Sequence, residues 1–353
     1  MIEIIFLIIS GTLSGCDGWK SIRDFGLLKL DWLRKFLPYE EGIPVDDTLA
    51  RVMRKLDTKQ FANCFTRWMQ SVASATNGDV IAIDGKTLRG RYESDIKSAI
   101  HRVSAWSSAN GVVLGQEKTS EKSNEITAIP ELLKSLEMKG CIVSIDAMGC
   151  QRTIAEQMIK QKGDYLLALK GNQGNLHEEV ENFFTTAKEN SFKNVAYGFH
   201  EDVDAGHGRI EVRRAYTLDF EQYKHDIPSG LKWKKPAQIV MIESVREGAN
   251  FKTQEKRFYI TSSLETPEKI LTATRKHWGV ENSLHWTLDV TFREDESRIR
   301  KDAAPENFAI FRHIALNIIR KNTSIDASVK RKRRMAAMDE GVRTTLIKEM
   351  LKI

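Results

Sequence analysis

Residues 80–90 read VIAIDGKTLRG: four apolar residues, an aspartate, a glycine, and then lysine and arginine. A β-branched run of this length is a buried strand. Asp84 therefore stands where the strand leaves the core, with cations directly after it. Working outward, HRVSAWSS (101–108) and GVVLGQEKTS (111–120) are strand-like, and Asn110-Gly111 between them is a hairpin turn signal. EITAIPELLKSLEMK (125–139) has helical spacing, CIVSIDA (141–147) is a second apolar run ending in aspartate, RTIAEQMIKQK (152–162) is helical and DYLLALKG (164–171) is a strand. The predicted order is β-β-β-α-β-α-β.

Three antiparallel strands followed by alternating helices and strands describe an α/β fold with a mixed sheet and flanking helices. Ligands in such sheets gather at strand ends. A meander that makes the first and fourth strands neighbours sets Asp84 and Asp146 side by side. Two adjacent carboxylates repel unless a cation lies between them, and hard oxygen donors favour magnesium or manganese. A third ligand is sought further on, in RKHWGVENSLHWTLDVTFREDESR (275–298). Trp278, Glu281, Leu284, His285 and Leu288 share one face of that segment read as a helix. An acidic side chain on an apolar, inward face needs a partner, which selects Glu281.

The composition fits this reading. At 353 residues, 41% apolar and 29% charged, the chain is a water-soluble globular protein of two or three folding units rather than a disordered or membrane protein. A formal charge of +6 suits a polyanionic partner. The four cysteines form no C-x-x-C pair, which argues against a zinc knuckle or a disulfide framework and for a reducing cytoplasm. The opening MIEIIFLIISGTLSGC has the outline of a lipoprotein signal, but Glu3 stands where a basic n-region belongs. It reads instead as a helix packed into an N-terminal bundle over residues 1–75. Alternating stretches within 172–263, such as HGRIEVRRAYTLDF and AQIVMIESVREG, predict a separate β-rich subdomain inserted before Glu281. The run KRKRR (330–334) lies in residues 323–353, read as a basic C-terminal tail with a solvated face. Buried packing is expected for both Trp106 and Trp286.

The segments IDGKTLRG, SIDAMGCQRTIA, DYLLALKGNQGNL and HWGVENSLHWTLDVTFREDESRIR, in this order, resemble the H-repeat-associated DDE transposases of bacterial insertion sequences. GWKSIRDFG and GIPVDDTLARVMRKLD extend the likeness to the N-terminal region. The resemblance implies a ribonuclease H-like catalytic domain over residues 76–171 and 264–322, with Asp84, Asp146 and Glu281 as the acidic triad. It implies two Mg2+ or Mn2+ ions, cleavage of DNA at the element ends and strand transfer into target DNA. It further implies a homodimer assembled on DNA ends, a cytoplasmic, nucleoid-associated location and no membrane partner. In relatives an insertion of this kind lies over the active site and touches DNA. Related transposases often carry tyrosine and arginine before the glutamate and lysine after it. Here the comparable positions hold Thr274, Arg275 and His277, with Leu288 or Asp289 downstream. Lys86, Arg89, Arg275 and His277 are the residues expected to meet DNA phosphates. A metal-dependent nuclease without strand joining, and a silent DNA-binding relic, are the two rival readings.

Overall fold

A computed structural model describes residues 1–72, 78–88, 100–119, 125–206 and 208–351. The chain opens with α1 (Ile2–Leu13), α2 (Trp19–Leu28), α3 (Leu30–Leu33), α4 (Asp46–Lys55) and α5 (Thr58–Val72). Three strands follow, β1 (Val80–Leu88), β2 (Ile100–Ser107) and β3 (Val112–Lys118). Then come α6 (Glu125–Lys134), β4 (Ile142–Ile145), α7 (Arg152–Lys160), β5 (Asp164–Leu169) and α8 (Gly174–Glu189). The strands β6 (Gly198–Gly206) and β7 (Arg209–Asp219), the short α9 (Phe220–Tyr223), and β8 (Gln238–Gly248) and β9 (Phe251–Thr261) form the next segment. Last are α10 (Pro267–His277), a π-turn (Val280–His285), α11 (Trp286–Val290), α12 (Ala304–Lys321), α13 (Val329–Met338) and α14 (Glu340–Leu351). The predicted order from β1 to β5 is the observed one. No described helix is long and apolar enough to cross a membrane.

The chain divides into two compact units. The first comprises Met1–Ser74, Gly85–Ser123 and Glu281–Ile353, and the second Ala75–Asp84 and Asn124–Val280. In the first unit α12 is the organising element. Its sequence is apolar almost all round, as a helix enclosed by its neighbours must be, and it is buried from Asn307 to Ile319. Helices α1, α4 and α5 pack on it. The side chain of Asn307 donates to the carbonyls of Met53 and Leu56 at 2.8 Å, satisfying the end of α4. Asn317 accepts from Val113 N–H at 2.9 Å and donates to its carbonyl at 2.8 Å, so an edge strand is completed by a side chain. Strands β2 and β3 pair antiparallel, and Gly111 closes their turn at φ +64°.

Helices α1, α4 and α5 share their unit with α12, against which they pack. Beyond α12 the chain is again helical, in α13 and α14. In α13, Lys332 and Arg333 are buried whereas Lys330, Arg331 and Arg334 are exposed. The Lys332 ammonium donates to the carbonyls of Ile319 and Asn322, at the C-terminal end of α12 where a cation is favoured. The Arg333 guanidinium lies 4.4 Å from the Phe292 ring centre and pairs with Asp17.

In the second unit the sheet order is β1-β4-β5-β9-β8-β7-β6. The first three run parallel, joined by connections that carry α6 and α7. From β5 onward every pairing is antiparallel. Val80, Ile142, Leu166, Val240, Ile270 and Leu271 belong to its core. Residues 172–263 are β-rich as expected, but they do not form a sheet of their own. Leu166–Leu169 of β5 pair directly with Phe258–Thr261 of β9, so the inserted strands continue the central sheet. The inner halves of β7, β8 and β9 are largely buried and carry its core outward, whereas β6 has no buried residue and the far ends of β6 and β9 are exposed.

Candidate active site

Asp84 and Asp146 follow paired residues. Ile83 of β1 is opposite Ile145 of β4 in parallel register, and each aspartate is the next residue. Parallel strands lie about 4.8 Å apart, so the two carboxylates start from neighbouring strands, each one residue beyond the last pair of the β1–β4 ladder. Asp146 follows the end of β4, but β1 runs on to Leu88, so Asp84 lies within its strand and not, as expected, at the strand end. Both are half-buried. The turn after Asp146 is built tightly. Its carboxylate accepts from Met148 N–H at 3.0 Å, an Asx-type turn. At Gly149 a Cβ would fall 2.3 Å from Ile145 Cγ2, so no other residue fits without displacement. Two side chains from the turn after β5 anchor the same loop. Asn172 donates to the Ala147 carbonyl, and Gln173 to the Cys150 carbonyl at 2.8 Å. The stretch LKGNQGNL thus supports the Asp146 turn.

His277, the last residue of α10, also approaches this point. Burial lowers its pKa, while the Asp146 charge and a hydrogen bond with the Ser144 backbone act in the opposite direction. The ring is held neutral, and its Nδ1 has no hydrogen-bond partner among the described residues. Trp278 meets the ring edge-on at 6.1 Å. The Arg257 guanidinium, fixed by Glu255 at 2.7 and 3.0 Å, lies 4.4 Å from the Trp278 ring centre. Asp84, Asp146 and His277 are therefore the predicted residues that the second unit brings together. Arg275 is on its surface, donating to Asp202 at 2.6 Å with Asp204 at 3.8 Å.

The first unit holds the other predicted residues. Glu281 is exposed on the π-turn rather than set in an apolar face. The sequence segment was read with a regular helical period; widening to a π-turn changes the angular spacing, so Val280, Leu284 and Leu288 are buried while Glu281 points outward. Trp286 is likewise 59% exposed, against expectation, whereas Trp106 is buried. Lys86 is not a surface cation. It is 8% exposed, with its ammonium joined to Asp289 and, at 3.0 Å, to Glu294. Arg89 lies outside the described residues. Among the described residues no three His, Cys, Asp or Glu side chains form a group spaced to hold a metal ion.

Glu294 is the centre that the sequence did not single out. It is fully buried, with Arg102 at 3.2 Å and Arg312 at 3.8 Å in addition to Lys86. Burial pushes its carboxyl up, but the charges of Arg102, Lys86 and Arg312 outweigh burial and hold it well below the usual carboxylate range. The same surroundings lower His285 to about 4, through burial and then the Lys86 and Arg102 charges. Buried His313 is pushed well below its ordinary value, first by burial and then by Arg102.

Neighbouring aspartates on a mixed sheet occur in unrelated proteins, so the relationship is decided by comparison with known sequences. The Transposase DDE domain model matches residues 75–318, and the associated N-terminal family model matches residues 1–69. The chain belongs to the DDE transposase family. It is 44% identical over 342 residues to the "H repeat-associated putative transposase YhhI" of Escherichia coli K12, an alignment covering 96% of this chain and 89% of that protein. It is 42% identical to the "Putative transposase YncI" of Escherichia coli O157:H7, covering 99% of this chain and 88% of that one. A shorter match, 47% identity over 51 residues and 14% of this chain, is to a protein named "Inactive transposase YbfQ" of strain K12. The H-repeat-associated resemblance read from the sequence motifs is thereby established, along with descent from insertion-sequence transposases.

Proposed function

We propose that this DDE transposase-family chain cleaves DNA strands at the ends of its insertion sequence and joins them to target DNA. One observation carries the reading: in a chain of this family, Asp84 and Asp146 each follow the in-register pair Ile83 and Ile145 on adjacent parallel strands. The donor set fits a hard divalent cation, since both groups are half-buried carboxylates with no thiolate in the pair. Asp84 and Asp146, with Glu281 as the third acidic residue, would hold two Mg2+ or Mn2+ ions. When bound, such ions activate the attacking oxygen and stabilise the leaving one.

The protein's own part is placement. The Asx turn and the Asn172 and Gln173 anchors fix the Asp146 carboxylate before substrate arrives, and much of the rate in phosphoryl transfer comes from positioning. His277, half-buried beside this turn, has its pKa lowered chiefly by burial. Arg275 is paired with Asp202 and Asp204 at the surface, where exchange of a carboxylate for a phosphate costs little. Lys330, Arg331 and Arg334, exposed on α13, supply further cationic surface for the backbone. The active form is a dimer on paired element ends, working in the cytoplasm beside the nucleoid.

The test is a pair of assays on purified wild type and Asp146→Asn. Asparagine keeps the size and removes the anion. Metal-dependent cleavage of element ends should fall below detection, while gel-shift binding should persist and weaken steeply with salt in both proteins. Undiminished cleavage by the variant removes Asp146 from the site. A wild type that cleaves but never joins a pre-cleaved end is a nuclease, not a transposase.

A further inference from the structure

Lys86, Asp289 and Glu294 take no part in the chemistry above, yet they lie on the segments that carry it. Lys86 is two residues beyond Asp84 on β1. Asp289 is on α11, which continues directly from the π-turn bearing Glu281, and Glu294 is in the loop after α11. Arg102 and Arg312 already neutralise Glu294 from β2 and α12. Lys86 is therefore more than the buried carboxylate requires, and it is the cation in this cluster shared with Asp289.

An exposed glutamate on a π-turn inherits its position from whatever fixes the turn. On one side that is Arg320 of α12. It donates to the Ser283 carbonyl at 2.7 Å, an acceptor also taken by the Thr287 hydroxyl at 2.6 Å, and its guanidinium lies 4.9 Å from the Trp106 ring centre. A π-turn leaves carbonyls outside the regular α-helical ladder, and these two donors satisfy one of them. On the other side it is the Lys86 link to α11. Apolar contacts permit sliding, whereas a buried ion pair between a strand and a helix fixes one register.

We propose that Lys86, acting through Asp289 and Glu294, is the positioning residue for Glu281, holding the π-turn against the part of β1 that follows Asp84. This rests on the acidic triad proposed above. Asp289 transmits the constraint along α11, and Glu294 anchors the ammonium so that it cannot swing to solvent. Residues that orient metal ligands without touching the metal typically change affinity by about 10–100-fold when removed. Lys86 belongs to that class, not to the class that grips DNA.

The experiment is Mn2+ titration of the full chain by electron paramagnetic resonance, with wild type, Asp84→Ala, Lys86→Met, Lys86→Arg and Asp289→Asn. Wild type should bind Mn2+ that Asp84→Ala does not. Lys86→Met should weaken that binding by about 10–100-fold, and Lys86→Arg should recover most of it. Asp289→Asn, which leaves the Lys86 link to Glu294 intact, should shift affinity in the same direction by less. The salt slope of DNA binding should stay unchanged in Lys86→Met, whereas loss of a phosphate contact would reduce it by about one. A folded Lys86→Met protein with wild-type Mn2+ affinity overturns the assignment. If that variant does not fold, wild-type affinity in Asp289→Asn overturns it instead. Failure of wild type to bind any Mn2+ removed by Asp84→Ala would instead overturn the acidic-triad reading itself.

Discussion

The Glu294 cluster of the first unit and the aspartate pair of the second treat carboxylates differently. In the first, Glu294 is withdrawn from solvent and met by Lys86, Arg102 and Arg312. In the second, Asp84 and Asp146 stand half-buried on neighbouring strands, each one residue beyond the in-register pair Ile83 and Ile145. A carboxylate enclosed with three cations is closed to a further one. A half-buried pair on neighbouring strands can be reached by one. Burial, more than residue type, separates an acid that holds the structure together from one suited to phosphoryl transfer.

The largest expected effect follows from breaking the first arrangement. Glu294→Gln leaves three cations buried without their shared anion, and removing one partner of a buried pair costs about 3–5 kcal/mol. Urea unfolding should report a loss of this order. The same measurement on Asp146→Asn should give a change below about 1 kcal/mol, because the residue is half-buried and an asparagine oxygen can still accept from Met148 N–H. Comparable losses in both variants would erase the contrast.

A smaller effect concerns pH. His285, His277 and His313 all have lowered folded-state pKa values, so the unfolded chain binds protons that the folded chain refuses. Stability therefore rises with pH, and it falls as pH drops below the ordinary histidine value of 6.5, for His285 down to about 4. Each such histidine contributes about 1.4 kcal/mol per pH unit within its window. Glu294 has a lowered value, so its contribution is present above about 4.5 and is lost only at lower pH. Thermal melts between pH 7 and 4 should show the histidine loss first, and His285→Gln should flatten part of that slope. A flat profile from pH 7 to 5 would contradict the burial assigned to these rings.

What could be read from the sequence divides along similar lines. The neighbouring aspartates were legible because the apolar runs in VIAIDG and IVSIDA declare strands; that β1 runs past Asp84 to Leu88 was not, because the glycine and cations after it look like an exit. Alternation in 172–263 revealed strands but not their sheet, because period two says nothing about which edge a strand joins. Lys86 looked like a phosphate ligand since its partners, Asp289 and Glu294, lie about two hundred residues away in the chain. The KRKRR run looked solvated because five like charges usually are; Lys332 and Arg333 are buried only because helix-end carbonyls and Asp17 receive them. Glu281 was identified from a helical face that the π-turn then unwound. In each case the missed information was a long-range partner or a local change of helical pitch, and neither leaves a periodic trace.

The central claim is that Asp84, Asp146 and Glu281 together bind the catalytic cations. Diffraction from crystals soaked in Mn2+, with data collected at the manganese absorption edge, tests it most directly. The account predicts anomalous density between the carboxylates of Asp84 and Asp146, with Glu281 completing the coordination. Manganese bound only elsewhere, or held by the two aspartates with Glu281 turned away in the DNA-bound complex as well, would contradict it.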